Sequence, residues 1–79
     1  MLIVLPSTPT TEKASEYLSA QNVPHRVIPV PESLNYKTGS DTAIYIEGNH
    51  HEDVPMRLTK ERFIVMRVFK DFELEGENA

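Results

Sequence analysis

The apolar positions of this chain change period as it runs. Leu2-Ile3-Val4-Leu5 is a short continuous apolar run, rich in β-branching, and predicts a strand buried on both faces. Pro6-Ser7-Thr8-Pro9 ends it. Thr8 fits a helix N-cap with Pro9 at the first helical position, where a missing N–H is no loss. The helix should run from about Pro9 to Gln21. Ala14, Tyr17, Leu18 and Gln21 form one stripe, and Glu12, Lys13 and Glu16 fall outside it. Asn22 suits the left-handed stop, and Pro24 follows it.

Arg26-Val27-Ile28-Pro29-Val30 is the next extended run. Pro29 and Pro31 cannot donate to a ladder, so this strand belongs at a sheet edge or ends there; the sequence leaves open their cis or trans state. Pro31 to Ser40 reads as a long loop and Asp41 to Ile46 as a strand. Gly48-Asn49-His50-His51 is a turn. From Glu52 to Lys60 two readings compete. Val54 and Leu58 at i and i+4, with Pro55 in a first turn, give a short helix. Val54, Met56 and Leu58 in alternation give a strand. Phe63 to Phe69 is the last strand, with Ile64, Met66 and Val68 on one side and Phe63, Val65 and Phe69 on the other. With the helix, the order is β-α-β-β-α-β. Its compact solution is an α+β, ferredoxin-like sandwich, a four-stranded antiparallel sheet with two helices on one face.

At 79 residues the chain has room for one domain. The net charge is −4, but residues 1–70 carry 8 acids and 8 bases, so the excess sits in Asp71, Glu73, Glu75 and Glu77. Residues 1–72 form the expected domain and 73–79 an acidic, flexible tail. The tail reads as solubilising, or as a docking strip for a basic partner. No apolar run is long enough for a membrane span or a signal-peptide core, so a soluble, cytoplasmic protein is expected. The acidic balance, and tyrosines that do not group with bases, argue against nucleic acid.

Zero cysteines exclude disulfides, thiolate metal sites and a cysteine nucleophile. No Gly-x-Ser-x-Gly elbow or phosphate-cradling loop is present, so no enzyme, cofactor or catalytic residue is expected. The topology places the loop after the first strand at the same end as Pro31 to Ser40. Ser7, Thr8, Thr10 and Thr11 then face Asn35, Tyr36, Lys37, Thr38 and Gly39. A helix N-terminus attracts anions, and Lys37 adds positive charge, so a small anion is one candidate ligand. Ordinary capping beside a flexible loop is the alternative. His25, His50 and His51 gather at the opposite end, but their spacing fits no metal pattern, and no metal site is expected. The last strand is apolar on both sides. The sheet face away from the helices would then be buried by a second copy, through that face or the last strand's edge, making a homo-oligomer. Alternatively Phe63 and Phe69 fold back under Phe72 and Leu74.

Pro6-Ser7-Thr8 after a strand, a helix, and then Arg26-Val27-Ile28-Pro29-Val30-Pro31 resembles the small bacterial selenium/sulfur carrier-like proteins. Gly39 before an apolar strand continues the likeness, which covers residues 2 to 46. Members of that family place an Arg after the second Pro and a Cys-Gly pair further on; here Glu32 and Thr38-Gly39 occupy those places. The resemblance implies the scaffold without its carrier thiol, because a threonine hydroxyl is a poor nucleophile without an adjacent base. A small, non-enzymatic binding or adaptor protein follows, with Ser7, Thr8, Lys37, Thr38 and Gly39 at its recognition end. The alternatives are an accessory role in sulfur or selenium transfer, the thiol coming from a protein partner, or a domain sensing a small anion or metabolite.

Overall fold

The computed structural model describes residues 1–47 and 51–73. Strand β1 is Leu2–Val4, helix α1 Thr8–Ala20, β2 Arg26–Pro29, β3 Thr42–Tyr45, helix α2 Val54–Lys60 and β4 Arg67–Phe69, with a 3₁₀ turn at Glu32–Leu34. The four strands form one antiparallel sheet in the order β2-β3-β1-β4. Both helices lie against one face of it. This is the α+β, ferredoxin-like arrangement, and residues 54–60 are helical. Pro29 and Pro31 are trans, and β2 is an edge strand as its prolines require.

The helix side of the sheet holds the larger core. Ile3, Leu5 and Ile44 meet Ala14 and Leu18 from α1 and Val54 and Leu58 from α2. The α1 stripe is Thr11, Ala14 and Leu18, fully buried, with Tyr17 at its margin and Gln21 exposed. The cap of α1 is one residue earlier than expected. Ser7, in extended conformation, accepts from the Thr10 N–H at 3.2 Å, while Thr8 already lies in the helix.

Both helices end in the same way. Asn22 has φ 60° and Arg62 φ 70°, each just past its helix. Asn22 N–H donates to the Ser19 carbonyl and Val23 N–H to that of Leu18; Arg62 and Phe63 repeat the pattern on Thr59 and Leu58. These are Schellman turns, each closed by the expected apolar contact, Val23 on Leu18 and Phe63 on Leu58.

The second turn explains why β4 is shorter than its sequence suggests. Phe63 is drawn onto the helix-side core with Val65, leaving Ile64 64 % and Met66 47 % exposed. Only at Met66 does the chain rejoin β1, its N–H donating to the Val4 carbonyl. Val68 then faces the helices and Phe69 the other side. The alternation read over 63–69 therefore breaks its phase before the paired segment begins.

The sheet face away from the helices is not left open. Val30, Leu34 and Tyr36 from the β2–β3 connection and Phe72 from the C-terminal segment cover it. Leu2 and Val4 are fully buried there. Tyr36 meets Phe69 edge-on at 5.8 Å, and Tyr45 meets Phe72 at 5.9 Å. The Met1 ammonium donates to the carbonyls of Ile46 and Phe72 and holds the C-terminal segment in place. Burial lowers its pKa below the ordinary 8.0, and Glu73 and Asp71 oppose that shift. Leu74 and the acidic tail beyond it lie outside the described residues, as does the turn at Gly48 to His50. Among the described residues no helix is long and apolar enough to cross a membrane.

Arg62 carries a side chain in a conformation that suits glycine. A left-handed residue with a Cβ is disfavoured by about 1–2 kcal/mol, and glycine's extra unfolded-state entropy returns about half of that. Arg62→Gly is therefore expected to stabilise the fold by about 0.5–1 kcal/mol, read as a raised denaturation midpoint with unchanged slope.

Candidate functional site

The two loops expected to face one another do meet, and they meet by closing. Gly39 forms a parallel bridge with Ser7. A Cβ built on Gly39 would stand 2.4 Å from the Pro6 carbonyl oxygen, so only glycine allows the two backbones this close. Around that contact runs a row of hydroxyls. Thr38 Oγ1 donates to the Leu5 carbonyl at 2.9 Å and accepts from Ser40 N–H at 3.1 Å. The Asp41 N–H donates to Thr8 Oγ1 at 3.1 Å. Ser7 Oγ lies 2.8 Å from Thr10 Oγ1.

The row continues inward. Thr11 and Ser40 are both buried, with their hydroxyl oxygens 2.9 Å apart. Thr11 Oγ1 also reaches the Ser7 carbonyl at 3.0 Å, and Ser40 Oγ the Thr42 carbonyl at 2.6 Å while accepting from Thr42 N–H. Two hydroxyl protons thus serve three oxygen–oxygen contacts, and one of the three is without a proton at any moment. Thr42 Oγ1, beside this cluster, is buried without a partner.

This geometry divides the expected recognition residues. Ser7, Thr8 and Gly39 belong to the seam, and their polar groups bind the chain itself. Most of the first turn of α1 is likewise taken up from within. Thr10 N–H goes to Ser7 Oγ, Thr11 N–H goes to the Ser7 carbonyl, and Pro9 has no N–H to offer. Lys37 and Thr38 instead line a cleft of 470 Å³ beneath the β2–β3 connection. Its other walls include Pro31, Tyr36, Glu32 and Asp41. Lys37 is exposed and its ammonium is the cation of the cleft; Glu32 and Asp41 supply two carboxylates. That balance disfavours a simple anion and suits a ligand carrying both signs of charge. The Thr38 hydroxyl already donates to Leu5 and accepts from Ser40. Arg67 lies over the Phe69 ring at 5.0 Å and the Tyr36 ring at 5.8 Å, at the rim of the covered sheet face.

At the opposite end, both ring nitrogens of His25 are occupied. Nε2 is 2.6 Å from Ser15 Oγ, and Nδ1 is 2.8 Å from the Val23 carbonyl. His25, Tyr45, Glu47 and His51 line a second cleft, of 230 Å³. His50 lies outside the described residues. Among the described residues no three His, Cys, Asp or Glu side chains converge as metal ligands would.

Sequence reading missed the pairing of Ser15 with His25. The signal was present in Asn22 and Pro24. A left-handed stop followed by proline turns the chain back along the helix it has just left. Sequence reading also missed Thr11 and Ser40 as a buried pair, because a threonine inside an otherwise apolar stripe looks like a solvent residue.

The chain matches no protein-family model, no curated protein and no solved structure.

Gly39→Ala tests the seam. The new methyl meets backbone rather than a flexible side chain, so the loops must part. The expected loss is about 1–3 kcal/mol of stability, measured by chemical denaturation against the wild type.

Proposed function

We propose that the chain is a small, non-enzymatic binding protein that takes a small polar ligand into the cleft beneath the β2–β3 connection. The observation that carries this is the cleft itself. It offers a 470 Å³ space with Lys37 and two carboxylates, against apolar walls from Pro31 and Tyr36. The lining is more polar than apolar, which suits a small polar ligand better than an apolar one. The likeness of residues 2 to 46 to selenium/sulfur carrier-like proteins supports a sulfur-bearing ligand. With no cysteine in the chain, any thiol comes with the ligand or with a protein partner. Thr38, where that family places its cysteine, supports binding over chemistry, because its hydroxyl is tied to Leu5 and Ser40.

A thermal-shift series tests the reading, with cysteine and glutathione as thiols bearing both charges and sulfate and thiosulfate as simple anions. At 100 times its Kd a ligand stabilises by about 2.7 kcal/mol. For a domain of this size each kcal/mol moves Tm by about 4–8 °C. The zwitterionic thiols are expected to raise Tm, and Lys37→Ala to remove most of the rise. No shift with any compound, or an equal shift in Lys37→Ala, overturns the proposal.

We further propose that the chain self-associates through the edge of β4, next to the exposed Ile64 and Met66. The covered sheet face is a poorer surface for this, its apolar residues being already buried. Light scattering after size exclusion at low micromolar concentration should give a dimer or larger. Ile64→Lys with Met66→Lys should reduce it to a monomer, and a monomeric wild type removes this part of the reading.

A further inference from the structure

Away from the cleft, Ser15 and His25 are the side chains best placed for chemistry. The Val23 carbonyl can only accept, so His25 Nδ1, 2.8 Å from it, carries a proton. The neutral ring then presents a bare lone pair at Nε2, 2.6 Å from Ser15 Oγ, and the serine hydroxyl donates to it. A hydroxyl within hydrogen-bond reach of a base, with a third group fixing that base, is the arrangement of an activated nucleophile. Here a carbonyl fixes the tautomer where a carboxylate does so in hydrolytic triads.

Two further observations separate this pair from an ordinary surface hydrogen bond. A serine inside a helix commonly turns its hydroxyl back to the carbonyl four residues earlier, but the hydroxyl of Ser15 is turned to His25 instead. Both residues are half-buried, so the pair is ordered yet open to a small reagent. His25 also lines the 230 Å³ cleft, which opens the pair to a small reagent.

We propose that Ser15 is an acyl-accepting serine, a covalent modification site activated by His25, for small acyl donors with a good leaving group. Ser15 Oγ attacks the carbonyl carbon of an aryl ester or thioester as its proton passes to His25 Nε2. The bond from carbonyl carbon to the leaving oxygen or sulfur breaks, and the leaving group departs with the proton returned from His25. An ester on Ser15, a free phenol or thiol, and neutral His25 remain, with no change of oxidation state. The need for a good leaving group follows from the helix. The N–H of Ser15 is spent in the α1 ladder, so the serine brings no backbone donor for a developing oxyanion.

The test treats the full chain with p-nitrophenyl acetate, digests it, and locates acetyl groups by mass spectrometry. One acetyl group is expected on Ser15. Its formation should slow by about 10²-fold in His25→Asn, which keeps a donor for the Val23 carbonyl but has no base. Ser15→Ala should lose the label. Circular dichroism checks that each variant is folded, and His25→Gln replaces the asparagine variant if that one is not. Labelling of the wild type on lysines or the amino terminus with Ser15 untouched overturns the proposal whatever the variants do. Equal rates at Ser15 in wild type and the histidine variants overturn it as well.

Discussion

Two backbones, Gly39 and the carbonyl of Pro6, meet so closely that no Cβ fits between them, and much else is positioned by that contact. The contact pins the β2–β3 connection to the turn between β1 and α1. Once pinned, that connection has one route back to the sheet. The route lays Leu34 and Tyr36 over the face that the helices leave uncovered. Burial of Leu2 and Val4 on that face is therefore set at a distance, by a residue with no side chain. The cleft that holds Lys37 is the space left between the same connection and the seam. Hydrogen bonds reinforce the contact: Thr38 Oγ1 takes up the Leu5 carbonyl and the Ser40 N–H, and Thr8 Oγ1 accepts from the Asp41 N–H.

The helix–sheet interface is polar at that end and apolar at the other. Thr11 and Ser40 occupy a position where two aliphatic side chains would bury more surface. Their hydroxyls instead bind the Ser7 and Thr42 carbonyls, which lie at the ends of regular structure. Satisfied polar pairs of this kind specify one arrangement, since any sliding of α1 along the sheet leaves buried oxygens bare. The unpartnered Thr42 Oγ1 marks where that satisfaction stops.

Much of the fold was legible in the sequence because it rests on local signals. The run at Leu2 to Leu5, the stop at Asn22 and the edge prolines each name an element on their own, while the i, i+4 pair of Val54 and Leu58 competed with a strand alternation over the same residues. What was not legible depends on contacts between distant segments. Nothing near Phe63 says that its ring will be drawn onto Leu58 and shift the phase of the strand behind it. Nothing in Leu34 or Tyr36 says that they will cover a sheet. The meeting of the two loops followed from topology alone. Their closing on each other, which removes Ser7, Thr8 and Gly39 from any ligand, depends on one interatomic distance that spacing cannot supply. The Ser15–His25 pair is a different case, since the turn at Asn22 and Pro24 signals the return of the chain along α1 but does not say which two side chains, ten residues apart, will touch.

The sheet order has a consequence for the making of the chain. Strand β1 lies inside the sheet between β3 and β4, and the pairing of Val4 with Arg67 joins the two ends of the described fold. On the ribosome, β1 emerges long before β4 is made. At ordinary synthesis rates the interval is about 3 to 13 s. During that time one edge of an apolar strand has no partner of its own, even after β3 has docked on the other. Folding is therefore completed after most of the domain has left the ribosome, and that interval is when this small protein most depends on being shielded from its neighbours.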